Sequence, residues 1–263
     1  LSIINTNTGK VHFISRANLL LSDTITGMCM DKKYNVWLGT AAGIYIINLG
    51  QGSIQHLGKA QGILHAVNHF AEDKTGRQWM TSDSGIYIFD KAAQKLKYLD
   101  ATSGLTDNKI KTILKDKEEQ MWIATYSGLN LVEAKGFMPD YLTTLDGISG
   151  TDVWTFTEDG QHRIWIGSRK GIDIYDPHNQ TIQSVEKDLL IKTGRTPQFE
   201  FINGKILMAS QGNGINLIDP ATGKVTCIGK EQGVKNVGLS SHLLDNTGRI
   251  WTGSFSNKGI EII

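Results

Sequence analysis

The chain has 263 residues, of which 40% are hydrophobic and 20% are charged, as in an ordinary folded protein. Its net charge of +1 excludes the strong single-sign field that would indicate nucleic acid or a membrane surface as a partner. The longest apolar run, around Ile44 to Leu49, is far too short to span a bilayer. Because the chain starts with Leu1 rather than Met, we expect it to be a piece of a longer protein.

The first 16 residues resemble a later part of the same chain. Residues 1–11 match residues 216–225 closely, through a shared Thr-Gly-Lys-Val among other positions. In the later segment this string joins the third and fourth strands of a predicted repeat unit. We therefore interpret residues 1–16 as a partial unit of the same kind.

A period of about 43 residues then runs along the chain. Five tryptophans each stand six residues after an aspartate; they are Trp37, Trp79, Trp122, Trp165 and Trp251, after Asp31, Asp73, Asp116, Asp159 and Asp245. Successive tryptophans are 42, 43 and 43 residues apart, and the last gap of 86 residues is two periods, with Leu207 in the vacant position. The pattern predicts repeats near residues 25–58, 67–100, 110–143, 153–186, 197–230 and 239–263.

Each repeat is predicted to contain four short antiparallel strands. In the second repeat these are residues 67–72, 78–82, 85–90 and 95–99. The Asp-Lys-Thr-Gly string at 73–76 is a turn, in which the Asp side chain accepts backbone hydrogen bonds and Gly takes a positive φ. No segment shows a sustained helical period.

A four-stranded sheet of this size cannot bury its own faces, so neighbouring sheets must stack with the tryptophans between them. The right-handed twist of sheets makes such a stack radial, and closing it into a ring removes exposed edges. We therefore predict an all-β fold, a β-propeller of four-stranded antiparallel blades that forms one domain over residues 1–263. An open solenoid is the less favoured alternative. Residues 9–14 would complete the last blade of a six-bladed ring, but the overlap of two third strands fits a piece of a seven-bladed ring equally well.

The recurrent residues are predicted to be structural. A catalytic site needs one constellation, whereas the aspartates occupy the same turn in five repeats. The tryptophans are expected to pack between blades, with the indole N–H on a backbone acceptor. Six glycines are predicted turn residues: Gly39, Gly85, Gly128, Gly171, Gly214 and Gly259.

The sequence predicts no catalytic residues, no metal site and no cofactor. It contains neither a nucleophile elbow nor a phosphate-binding loop. His65 and His69 are four residues apart, which on a strand spans about 13 Å, too far for one ligand shell. Cys29 and Cys227 are expected to be buried free thiols. His242 stands where other repeats have an apolar residue and is expected to be a core histidine with its polar atoms satisfied.

Recognition is expected where the repeats differ, on the face that carries the loop into the inner strand and the loop between strands two and three. From the latter loops we select groups of aromatic, basic and amide chemistry: Tyr126, Arg169, Lys170, Gln211, Asn213 and Phe255. Trp154 is added because its counterparts in other repeats are Thr26, Asn68, Lys111 and Ser240. Its ring can stack on a sugar or pack against the neighbouring inner strand, and both interpretations stay open.

Three strings resemble the two-component regulator propeller repeat, which reads roughly D-x-x-G-x-[IL]-W-[IL]-G-[TS]-x-x-G-[IL]. They are Asp-Lys-Thr-Gly-Arg-Gln-Trp-Met-Thr-Ser at 73–82, Asp-Asn-Thr-Gly-Arg-Ile-Trp-Thr-Gly-Ser at 245–254 and Arg-Ile-Trp-Ile-Gly-Ser-Arg-Lys-Gly-Ile at 163–172. Versions of the repeat cover the whole chain, although residues 205–210 lack both the Asp and the Trp.

This resemblance implies the periplasmic sensor region of a hybrid two-component system, ahead of a small β-domain, a membrane helix and a cytoplasmic histidine kinase. It implies an oligosaccharide as the signal. It also implies neighbouring propeller or sensor domains of the same chain, and a second copy in a homodimer, as partners. Neither nucleic acid nor a membrane contact by this segment is expected, in line with the scattered basic residues.

Three functions follow. The leading hypothesis is a non-enzymatic extracytoplasmic ligand-sensing propeller. The second is a protein-interaction scaffold, which large apolar patches would favour. The third is a propeller lyase or hydrolase, which needs a histidine and an acid that converge on a substrate.

Overall fold

The computed structural model describes residues 2–4, 8, 10–14, 20–21, 24–132, 140–185, 198–210, 214–235, 239–245, 248–254 and 260–263. Within these residues it contains 25 strands, and the helical elements are three single 3-10 turns. The fold is a six-bladed β-propeller with four-stranded antiparallel blades, which confirms the predicted fold class. No helix of the described residues is long and apolar enough to cross a membrane.

The chain divides into two compact units, and the first comprises residues 1–115. Its strands are β1 (Ser2–Ile4), β2 (Val11–Phe13), β3 (Ile25–Met30), β4 (Asn35–Thr40), β5 (Gly43–Asn48), β6 (Ser53–Leu57), β7 (Val67–Glu72), β8 (Gln78–Ser82), β9 (Gly85–Asp90), β10 (Lys95–Leu99) and β11 (Ile110–Lys115). Strands β3 to β6 form blade 1 and β7 to β10 form blade 2, each in sequential order. A 3-10 turn follows each of these blades, at Lys59–Gln61 and Ala101–Ser103.

The second unit comprises residues 116–263. Its strands are β12 (Met121–Thr125), β13 (Leu129–Val132), β14 (Asp140–Leu142), β15 (Val153–Glu158), β16 (Ile164–Ser168), β17 (Ile172–Asp176), β18 (Thr181–Ser184), β19 (Gln198–Ile202), β20 (Lys205–Ser210), β21 (Gly214–Ile218), β22 (Val225–Ile228), β23 (Leu239–Leu244), β24 (Ile250–Ser254) and β25 (Ile260–Ile262). In this unit β12, β13 and β14 are consecutive strands of blade 3. Blade 4 is β15 to β18, blade 5 is β19 to β22 and blade 6 is β23 to β25. The third 3-10 turn, Lys230–Gln232, follows blade 5.

The four strands predicted for residues 67–99 have the predicted limits. Four of the five motif tryptophans, Trp37, Trp79, Trp122 and Trp165, are buried as expected, whereas Trp251 is only partly buried. Trp37 of blade 1 lies in one hydrophobic cluster with Val67, Met80 and Tyr87 of blade 2, and Trp165 of blade 4 lies in a corresponding cluster with residues of blade 5. In these two pairs of blades the apolar faces are therefore buried against each other, which a single blade cannot do alone.

The six-residue spacing from Asp to Trp has a direct structural cause. In blade 2 the Oδ1 atom of Asp73 accepts hydrogen bonds from the backbone of Thr75 at 2.8 Å and Arg77 at 3.0 Å. Its Oδ2 atom accepts the indole N–H of Trp79 at 2.8 Å. The predicted turn-capping role is confirmed, but the expected backbone acceptor for the indole is wrong, because the same carboxylate serves both the turn and the tryptophan.

This arrangement keeps the acid ionised. Burial opposes ionisation of Asp73, but hydrogen bonds from Trp79, Thr75 and Arg77 outweigh burial and lower the pKa of Asp73. The pKa of Asp159 is lowered in the same manner, with Trp165 and Arg163 as donors. A carboxylate that accepts so many internal hydrogen bonds has a structural role.

Blade 5 lacks both the Asp and the Trp, and its first hairpin closes differently. Ile202 pairs with Lys205, so the connection has only two residues, Asn203 with φ 49° and Gly204 with φ 79°. Two positive φ values in a two-residue loop match the twist of a hairpin, and such a turn needs no capping aspartate.

Two expectations about single residue types are corrected. Gly39 lies inside β4, where a side chain would collide with the backbone oxygen of Val67; the turn glycine of blade 1 is Gly43, with φ 122°. Cys29 is a free thiol and is partly buried, whereas Cys227 is exposed and not buried as expected. Gly259 lies outside the described residues.

The ends of the chain keep the predicted strand order. β1 pairs with β2 in antiparallel register, from Ser2 opposite Phe13 to Ile4 opposite Val11, as the third and fourth strands of a blade do. The described part of blade 6 contains three strands, in the order β23-β24-β25. That residues 1–263 form a single domain stays a prediction.

Candidate functional site

The inner strands carry a β-bulge at one repeated position, which sequence reasoning did not detect. In β15 Val153 pairs with Ser168 and Thr155 pairs with Gly167, so Trp154 is the extra residue. The register skips the equivalent residue in three other inner strands, at Thr26, Asn68 and Ser240. A bulge turns its extra residue out of the regular alternation, which explains why the residue types vary at this position.

In unit 1 the bulge residues make polar contacts with the protein itself. The Thr26 hydroxyl donates to the backbone oxygen of Val67 at 2.5 Å. The Asn68 amide donates to Asp83 Oδ1 at 3.1 Å, and Asp83 lies in the loop between the second and third strands of the same blade. Both bulge side chains are therefore engaged by neighbouring backbone or loop groups.

In blade 4 of unit 2 the bulge residue, Trp154, forms an aromatic pair instead. The rings of Trp154 and Tyr126 have centroids 6.4 Å apart and planes inclined at 60°. Tyr126 is 43% exposed and Trp154 is half-buried. The structure thus brings together two predicted site residues that are 28 positions apart in the sequence, and places an amphipathic surface of two rings between blades 3 and 4.

The loop that carries Tyr126 is held by its own first residue. Thr125 donates its hydroxyl to the oxygen of Gly128 at 2.9 Å and accepts the backbone N–H of Ser127 at 3.1 Å. Equivalent bonds close the same loop at Ser168 in blade 4. The frame of the loop is therefore constant, and the residues inside it are free to vary.

Two predicted basic residues occupy the equivalent loop of blade 4. The backbone N–H of Arg169 donates to the oxygen of Asp152 at 3.2 Å, which joins this loop to the segment that leads into Trp154. A side chain at Gly150 would lie 3.3 Å from the Cβ of Lys170, so that glycine makes room for the lysine. Both basic side chains are exposed.

The structure therefore places four of the predicted site residues on two adjacent blades. The cluster formed by Tyr126, Trp154, Arg169 and Lys170, here called the bulge-face cluster, combines aromatic surface with positive charge. Gln211, Asn213 and Phe255 lie outside the described residues. The cluster offers ring faces and cationic donors, and within the described residues no group of three metal-ligating side chains exists anywhere.

Two histidine–acid pairs also occur in unit 2. His162 Nδ1 lies 2.7 Å from Glu158 Oε1, in the turn of blade 4. His242 Nε2 lies 3.6 Å from Glu200 Oε2, between the inner strands of blades 5 and 6. Burial lowers the pKa of His242 to about 4 and raises the pKa of Glu200. His242 is buried as predicted, with no exposed side-chain surface, so its imidazole is not presented to a substrate.

The family resemblance is confirmed for part of the chain. The two-component regulator propeller family matches residues 104–127 and 147–170. These two segments contain the four residues of the bulge-face cluster. Among curated proteins, none is similar to the chain in sequence.

Solved structures share the fold at low sequence identity. The extracellular domain of a protein described as a hybrid two-component system, from B. thetaiotaomicron, is 16% identical with a TM-score of 0.65; the match covers 100% of this chain and 46% of that one. Virginiamycin B lyase from Staphylococcus aureus is 15% identical with a TM-score of 0.75, over 96% of this chain and 84% of the lyase. PorZ, a surface component of the type-IX secretion system of Porphyromonas gingivalis, is 15% identical with a TM-score of 0.69, over 90% of this chain and 38% of PorZ.

This chain therefore spans less than half of that extracellular domain and of PorZ. At such identities the similarity shows the fold alone, because one propeller fold supports two-component proteins, lyases and surface components.

Proposed function

We propose that the two-component regulator propeller repeats of this chain form a non-enzymatic ligand-sensing region of a hybrid two-component system. The ligand would be an oligosaccharide bound at the bulge-face cluster, on the periplasmic side of the inner membrane. The observation that carries the proposal is the contact between Trp154 and Tyr126, at a position where unit 1 has polar residues with internal partners.

The chemistry of the cluster suits a carbohydrate. Aromatic rings offer flat apolar faces to the C–H groups of a sugar ring, while their polar edges tolerate water. Arg169 and Lys170 add hydrogen-bond donors and favour a sugar that carries carboxylate or sulfate groups. A few polar groups around an aromatic platform are the usual composition of a small-molecule site.

Signalling would follow from differential binding. A ligand shifts an equilibrium only by the difference between its affinities for the two states. An oligosaccharide that favours one arrangement of this propeller with neighbouring domains of the same chain would bias dimerisation, and with it a histidine kinase in the longer protein.

The test is binding of an oligosaccharide panel, neutral and anionic, measured by thermal shift and then by calorimetry. We expect at least one glycan to bind, and Trp154→Ala and Tyr126→Ala each to weaken that binding about tenfold. Tyr141→Ala is the matched control, because Tyr141 is an exposed tyrosine of the same unit outside the cluster. A protein that binds no glycan, or variants that bind as tightly as the parent, would refute the proposal.

A lyase is the second candidate, and the two histidine–acid pairs favour it. His242 is buried, however, and His162 is committed to Glu158 within a turn. Incubation of the bound glycan with the protein would reveal turnover by a new ultraviolet-absorbing double bond. Turnover that is lost in both His162→Ala and His242→Phe would replace the sensing proposal.

A further inference from the structure

The interface between blades 1 and 2 holds a lysine ammonium in a site built by both blades. Lys91 lies in the turn between β9 and β10. Its Nζ is 3.2 Å from Asp31 Oδ2 and 2.9 Å from Glu72 Oε2, and it stands 5.3 Å from the centre of the Trp37 ring. Two carboxylates and an aromatic face together form a cation site.

The same turn of blade 4 has a proline at the equivalent position. In blade 2 Asp90 Oδ1 accepts the backbone N–H groups of the second and third residues after it, and Gln94 has φ 53°. In blade 4 Asp176 Oδ1 accepts the corresponding N–H groups, and Gln180 has φ 53°. Since the two turns have the same conformation, Pro177 stands where blade 2 has its lysine.

The acids of the cation site are nevertheless repeated between blades 3 and 4. Asp116 corresponds to the motif aspartate of blade 1, and its Oδ2 accepts the indole N–H of Trp122 at 2.7 Å. Glu158 ends its inner strand as Glu72 does. Its Oε2 accepts the backbone N–H of Lys117 at 2.8 Å, and the corresponding bond from Lys32 to Glu72 Oε2 is 3.4 Å long.

The cation itself is what differs. Among the described residues, no ammonium or guanidinium bonds to Asp116 Oδ2 or Glu158 Oε2. The side chain of Lys117 is directed to the oxygen of Asp159 at 3.3 Å and over the ring of Phe201. His162 binds the other carboxylate oxygen of Glu158, and an imidazole carries a full charge only when it is protonated.

An open groove lies at this interface. It has a volume of about 390 Å³ and is bordered by Asp116, Trp122, Glu158, Tyr141, Tyr175 and Pro177. The rings of Trp122 and Tyr175 meet edge to face with centroids 6.0 Å apart. Asp116 and Glu158 both line the groove and are more than nine-tenths buried, so their charges are poorly solvated.

We propose that this groove binds a primary alkylammonium group of an external small-molecule amine. The nitrogen takes the place that the Lys91 ammonium occupies between blades 1 and 2, bonded to Asp116 Oδ2 and Glu158 Oε2 and over the face of Trp122. The alkyl chain lies along the rings of Tyr141 and Tyr175. The site uses none of the residues of the bulge-face cluster, so this proposal stands or fails independently of the proposed function.

The experiment compares pentylamine, which mimics a lysine side chain, with pentanol, which has the same length and no charge. We expect calorimetry to show one pentylamine site per chain and no binding of pentanol. Glu158→Gln should weaken pentylamine binding about tenfold, because a charge-assisted bond is lost. Glu72→Gln, the same change at the interface of blades 1 and 2, is the matched control and should leave pentylamine binding unchanged.

Two further variants test the equivalence of the interfaces. Pro177→Lys should fill the groove with an internal ammonium and abolish pentylamine binding while the protein stays folded. Lys91→Ala should empty the other interface and raise the pentylamine stoichiometry from one to two. The proposal is overturned if pentylamine does not bind, if pentanol binds as tightly, or if Pro177→Lys binds pentylamine within about twofold of the parent.

Discussion

Blades 1 and 2 have the same buried Asp–Trp pairs, here called the frame, as blades 3 and 4. The residues at both edges of the interface between the two blades differ. Between blades 1 and 2, Asn68 is bonded to Asp83 on one face and Lys91 neutralises two acids on the other. Between blades 3 and 4, Trp154 replaces the asparagine and Pro177 replaces the lysine. The tryptophan that packs between the blades is buried in both cases.

A repeat protein can therefore acquire function without loss of stability at positions outside its buried Asp–Trp pairs. The Asp–Trp pair is needed to hold a turn and fill an interface, so it recurs. The bulge residue and the second residue of the turn between strands three and four lie at the edges of the interface. A change at these positions presents aromatic groups, or leaves acidic groups without a cation, while the buried frame remains.

The largest expected effect concerns the shared frame. Trp79→Ala and Trp122→Ala should each lower the free energy of unfolding by about 3–5 kcal/mol, because both rings are buried and leave a cavity. Urea unfolding monitored by circular dichroism measures both. If one variant cost less than half of the other, the frame would not be common to the two regions.

The next effect separates the two interfaces. Lys91→Ala should cost about 2–3 kcal/mol, because it leaves Asp31 and Glu72 facing each other without their cation. Pro177→Ala should change stability by less than about 0.5 kcal/mol, because the proline neutralises nothing. Equal losses in the same urea titration would show that Lys91 contributes packing rather than charge.

A third difference is an ionisable group at a position that is apolar in unit 1. The pKa of His242 is lowered by burial to about 4, below its ordinary value of 6.5. Between pH 6.5 and 4 this histidine is protonated in the unfolded chain but not in the folded chain. The free energy of unfolding therefore falls as the pH drops from 6.5 to 4. His242→Phe should remove about 2 kcal/mol of this loss.

The measurement is unfolding free energy against pH, with Glu200→Gln as the background for both proteins. This background is needed because burial raises the pKa of Glu200, so Glu200 gains a proton on folding and gives a slope of opposite sign. Parallel curves for the two proteins would mean that His242 does not titrate in this window.

The effect expected at the bulge is smaller than those at the tryptophans, Lys91 and His242. Trp154→Asn introduces the residue of blade 2 and should cost about 1 kcal/mol or less, because the ring is only half-buried. The same variant should lose glycan binding. A large loss of stability in thermal unfolding would instead assign Trp154 to packing, the other interpretation of this residue.

Much of the fold could be predicted because the same Asp-to-Trp pattern occurs five times, so each prediction is supported by several repeats. The strand limits of residues 67–99 and the burial of four of the five motif tryptophans follow from spacing and alternation alone. The acceptor of the indole N–H was wrong because hydrogen bonds between side chains depend on how a turn folds back. The 3-10 turns and the bulges were missed because neither changes the apolar pattern that reveals strands.

The candidate site could be predicted only as separate residues. The variability of Tyr126, Trp154, Arg169 and Lys170 is visible in the sequence, since a repeat supplies its own reference at each position. Their assembly on two adjacent blades is a property of the register, because a bulge decides which way Trp154 turns. The groove with Asp116 and Glu158 was not predicted, because in the sequence these acids occupy the same repeat positions as the structural acids of blades 1 and 2.

The four-stranded sheets and their stacking could be predicted from the sequence, because the alternation within each repeat indicates which residues must be buried. Tertiary structure alone decided which acids keep an internal cation and which do not, because Lys91 and Asp31 are 60 residues apart and meet only when one blade packs on the next. The sequence pattern within a repeat specifies the strands, whereas the ion pairs depend on how neighbouring blades pack.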